Sequence, residues 1–71
     1  MTKTTAINLL QNYDNFIIVI DSIEGAAGRE LRERYYNIIN RKYDKRYTEE
    51  ELQKWKRFYM DALRVKILKY V

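Results

Sequence analysis

The chain has no cysteine, no histidine and no proline, and Ser22 is its one serine. Each absence excludes something. Without cysteine there is neither a disulfide framework nor a thiolate nucleophile. Without histidine as well, transition-metal sites lose two of their commonest ligands, and acid–base catalysis loses its usual carrier. The carboxylates do not replace them. Asp14 and Asp21 stand seven residues apart with nothing to place a substrate between them, and Glu49, Glu50 and Glu51 read better as a helix start than as a cation site. A chain of 71 residues also has little room for a walled pocket. The expectation is a protein that is not an enzyme and carries no metal and no cofactor.

Long apolar runs are missing too. Phe16 to Ile20 is the longest, too short to cross a bilayer or to form the core of a secretory leader. With no cysteine to protect, this fits a reducing compartment, and a cytoplasmic location is expected. The basic and apolar residues of the C-terminal third do not sort into a consistently basic polar face, which argues against membrane binding.

Only Gly25 and Gly28 punctuate the chain, and helix formers dominate the rest. The expected fold is all-α: a single helical domain over residues 1–71 with three helices, about 5–24, 27–43 and 48–70. The last organises the others. Thr48 with Glu51 three residues on forms a capping box, the three carboxylates suit the positive end of the helix dipole, and Lys66 and Lys69 suit the other. At 100° per residue, Leu52, Trp55, Tyr59, Ala62, Leu63, Ile67 and Tyr70 share one face, while Phe58, Val65 and Leu68 fall outside it.

In the first helix, capped by Thr4 or Thr5, Ala6, Leu9, Leu10, Tyr13, Phe16, Ile17, Ile20 and Ile23 fall on one face, with Ile7, Ile18 and Val19 off it. The β-branched run at 16–20 is where a strand competes, but no pairing partner follows. Gly25-Ala26-Ala27-Gly28 breaks the chain, with Gly25 suited to the left-handed position. This stretch lacks the Gly-Lys-Ser/Thr ending of a phosphate loop. The second helix turns Leu31, Tyr35, Ile38 and Ile39 inward and carries Arg29–Glu33 and Glu30–Arg34 as i,i+4 pairs on its solvated face.

A domain this small is marginal as a lone monomer, and with disulfides and metals excluded oligomerisation is the remedy left. The residues beyond the core faces are the candidates for a homodimer interface: Ile7, Ile18, Val19, Phe58, Val65 and Leu68. Large apolar patches seldom stay exposed.

The charge is +4 overall and unevenly spread: residues 1–27 carry net −2 and residues 28–71 net +6. That asymmetry favours an acidic partner. The reading that fits best is a protein-binding module, an inhibitor or regulator of a larger protein machine. Tyr36, Tyr43, Arg46 and Tyr47 are its expected contacts, since exposed Tyr and Arg anchor interfaces most often. The alternative is a small basic DNA- or RNA-binding regulator using Arg41, Lys42, Lys45 and Arg46, whose charges alternate with tyrosines that could stack on bases. Against it, the third helix opens with three glutamates, which a phosphate backbone would repel. A composition rich in Ile, Asn, Lys and Tyr points to an AT-rich genome, such as a low-GC bacterium, its phage or a mobile element.

Overall fold

A computed structural model describes residues 1–41 and 46–71. Four α-helices make up the described chain: α1 (Lys3–Leu9), α2 (Phe16–Asp21), α3 (Gly25–Ile39) and α4 (Glu49–Leu68), with a 3₁₀ turn at Tyr13–Asn15 between the first two. No strand occurs among the described residues.

The continuous helix expected over 5–24 is instead two short ones. Leu10 to Asn15 hold the reason. The Asn12 side chain accepts a hydrogen bond from the Asp14 N–H at 3.0 Å, and the Asn15 N–H reaches the Asn12 carbonyl at the same distance. Short polar side chains of this kind offer the backbone a partner outside the helical ladder, and here they win. The start is earlier than expected as well. Thr2, rather than Thr4 or Thr5, caps α1, accepting from the Thr5 N–H at 3.2 Å.

Because α2 has turned away from α1, a single helical face no longer runs through both. Val19 is wholly buried beside Phe16 and Ile20, and so belongs to the core rather than to a surplus surface. Ile17 is half-buried, and Ile7 and Ile18 are exposed.

Gly25 starts α3 with φ +77°, the left-handed conformation expected at the break. Gly28 lies in the first turn, packed on the backbone of Ile23. A Cβ there would overlap the Ile23 carbonyl oxygen and stand 2.9 Å from its carbon. This contact brings the end of the N-terminal segment onto α3. The expected extension of this helix to residue 43 is not seen as far as residue 41: Asn40 is the C-cap. Residues 42 and 43 lie outside the described part.

Thr48 caps α4 as its sequence indicates, accepting from the Glu51 N–H at 3.1 Å. The helix runs twenty residues, about 30 Å. It lies antiparallel to α3: Arg41 sits over Trp55 at one end, and Glu30 and Leu31 line a common hollow with Lys69 and Tyr70 at the other. The N-terminal elements pack against this pair from one side, α2 on α3, and α1 and α2 on α4. The core of Ala6, Leu10, Phe16, Val19, Ile20, Leu31, Ile38, Met60, Leu63 and Ile67 fills the space between.

The result is elongated. The Cα radius of gyration is 12.9 Å, against about 11 Å for a spherical domain of this length. No helix among the described residues is long and apolar enough to cross a membrane.

Candidate protein-docking face

The seam between α3 and α4 has two sides, and they are finished differently. On the covered side, Arg64 of α4 ties down the N-terminal segment. Its Nε donates to the Leu10 carbonyl at 2.8 Å, satisfying an orphan acceptor at the end of α1. Another guanidinium nitrogen donates to Asp61 at 3.2 Å, and Asp61 in turn accepts from the Tyr13 hydroxyl at 2.7 Å. The guanidinium lies over the Tyr13 and Phe16 rings, 5.4 and 5.6 Å from their centres.

The hydrogen bond to Asp61 is the main cause that raises the Tyr13 hydroxyl above the ordinary tyrosine pKa. Burial and the Asp61 charge add to it, and Arg64 and Arg57 oppose it. Tyr35 is raised as well, chiefly by burial.

On the other side no described element covers the seam. A shallow groove runs there from Arg41 and Trp55, past Arg34, Ile38, Tyr59 and Ala62, to Lys66, Lys69 and Tyr70. Its widest part, between Arg34, Asn37, Ile38, Arg41, Trp55 and Tyr59, is an open hollow of about 300 Å³. The floor is aromatic and aliphatic. The Trp55 and Tyr59 rings lie 4.3 Å apart between centres, tilted by 40°, and Phe58, just outside the groove, meets Tyr59 edge-on at 5.3 Å. The Arg41 guanidinium sits 4.2 Å over the Trp55 ring, a cation–π contact.

Helical spacing explains this arrangement. Phe58, Tyr59, Ala62 and Val65, with Trp55 at their edge, lie three or four residues apart around the adjacent pair Phe58–Tyr59, a second apolar stripe on α4 rotated from the buried stripe of Leu52, Met60, Leu63 and Ile67. Trp55 stands where the two stripes meet, half-buried against the core as its spacing predicts, whereas Tyr59 and Ala62, expected on the same face, are exposed. Tyr59 is 43% exposed, while Met60, outside the expected core, is buried.

The expected interface residues divide. Phe58 and Val65 are 68% and 58% exposed. Leu68 is half-buried against the core, which removes it from the surplus as it removed Val19. Of the expected partner contacts, Tyr36 is exposed and meets Tyr35 edge-on at 5.4 Å, but it does not line the groove. Arg46 is exposed and Tyr47 half-buried at the turn before α4, and Tyr43 lies outside the described residues. In the basic cluster, Arg41 is committed to Trp55, and Lys42 and Lys45 lie outside the described residues.

Asp21 is paired with Arg32 at 3.0 Å and Glu50 with Lys54 at 3.9 Å, both on the surface. Among the described residues no group of acidic side chains could hold a metal ion. No protein-family model, curated protein or solved structure matches the chain.

Proposed function

We propose that this chain is a non-enzymatic protein-binding module, an inhibitor or regulator of a larger protein, of the small kind that phages and mobile elements encode. The observation that supports it is the second apolar stripe of α4: Phe58, Tyr59, Ala62 and Val65 stand exposed, with half-buried Trp55 at their edge, on a side that no described element covers. Three aromatic rings in mutual contact beside a stacked arginine have the composition of an interface core, where Trp, Tyr and Arg carry most of the binding energy.

Self-association belongs to the same reading. Ile7, Ile18, Phe58 and Val65 remain after Val19 and Leu68 are assigned to the monomer, and a homodimer would bury the outer flank of α4.

The test uses the full chain as bait, with nuclease in the lysate, beside an Ala62→Arg bait that fills the middle of the stripe. A protein captured by the parent and lost from Ala62→Arg supports the reading. Equal capture by both baits, or loss on nuclease treatment, overturns it. Light scattering at micromolar concentration separates self-association from a foreign partner.

A further inference from the structure

We infer that the α3–α4 groove takes an acidic amphipathic helix from a partner protein. This rests on the protein-binding reading and adds the chemistry of the occupant. Three observations carry it. First, the rims are cationic. Arg34 and Arg41 on one side and Lys66 and Lys69 on the other face, among the described residues, a single lining carboxylate, Glu30, which is already paired with Arg34 at 3.1 Å. Second, the floor between them is apolar, formed by Ile38, Trp55, Tyr59 and Ala62. A ligand must therefore bring an apolar stripe flanked by carboxylates.

Third, the hollows line up over the length of a short helix. The groove follows α4 from Trp55 to Lys69, about 20 Å at 1.5 Å per residue, or four turns. The same seam is filled by helices on its other side. No sheet edge exists among the described residues to take an extended strand. A second copy of this chain does not fit, because a twofold contact across the groove would set Lys66, Lys69, Arg34 and Arg41 against themselves. A nucleic acid strand would find one face of Trp55 already taken by Arg41.

Trp55 is the sole tryptophan, so its fluorescence reports occupancy of the groove directly. The experiment titrates the full chain with three probes: a 15-residue helical peptide with a leucine stripe and glutamate flanks, the same peptide with lysine flanks, and oligothymidylate. The glutamate peptide is expected to shift Trp55 emission to the blue and to bind at least tenfold more tightly than the lysine peptide, with the margin shrinking as salt rises. The double variant Lys66→Glu, Lys69→Glu, its fold checked by circular dichroism, should reverse the preference.

Equal binding of both peptides overturns the acidic occupant and leaves the docking face standing. No response to either peptide overturns the helical occupant, and the Ala62→Arg bait then judges the docking face separately. Saturation by oligothymidylate alone overturns both.

Discussion

The two sides of the α3–α4 seam share one pair of helices and differ in everything laid on them. On the covered side, Phe16, Val19, Ile20, Met60 and Ile67 are buried, and Arg64 closes the end of α1 through the Leu10 carbonyl. On the open side, the Phe58 and Tyr59 rings touch edge-on and remain in water, with Trp55 half-buried beside them. The difference teaches that apolar content alone does not tell which stripe of a helix makes the monomer. That is decided by whether a second element reaches it.

Substitutions on the two sides should therefore separate cleanly. Phe16→Ala has the largest expected effect. It deletes a fully buried ring at a cost of about 3–5 kcal/mol, comparable with the whole stability of a domain this size, so the far-ultraviolet circular dichroism of the variant should be that of an unfolded chain. A folded Phe16→Ala protein would contradict the assignment of the covered side.

Arg64→Met comes next. It keeps the aliphatic stem and leaves the Leu10 carbonyl without its donor, for a loss of about 1–3 kcal/mol in urea unfolding.

Tyr13→Phe removes one hydrogen bond to Asp61, exposed enough that the loss at neutral pH stays below about 1 kcal/mol. Its signature is in the pH dependence. The Tyr13 pKa is raised in the folded state, so its contribution is intact below the unfolded value of about 10 and fades as pH climbs through the folded value. The alkaline fall in melting temperature should be shallower in Tyr13→Phe than in the parent, and Tyr35 accounts for part of what remains.

Phe58→Asp has the smallest expected effect, within about 0.5 kcal/mol, because the ring is two-thirds exposed. A large loss of stability, falling with dilution of the parent, would show instead that a second copy covers α4.

Much of this was legible in the sequence, for physical reasons that can be named. Thr48 and Glu51 mark the start of α4 because a cap is a local event. Leu31, Ile38, Leu52, Leu63 and Ile67 are buried because helical spacing survives along an unbroken helix. The N-terminal third resisted because Asn12 interrupts the helix with a single side-chain hydrogen bond, after which the period restarts in a new direction and carries Val19 inward. Arg64 was invisible for a different reason: its partner is a backbone carbonyl 54 residues away, and no local pattern announces such a contact. The groove was half legible. Trp55 packs against the core as its spacing predicts, but Tyr59 and Ala62 on the same face are exposed, because one helical wheel cannot show where a neighbour ends.

The two glycines, three residues apart, have opposite tolerances. Replacing a helical glycine by alanine ordinarily stabilises a protein by about 0.4–1 kcal/mol through the unfolded chain. At Gly28 that remedy fails, since the new methyl would strike the Ile23 carbonyl. At Gly25 the space is open but the handedness is wrong, so the mirror-image residue is the one that fits: D-alanine introduced there by chemical synthesis should tighten the fold where L-alanine would strain it.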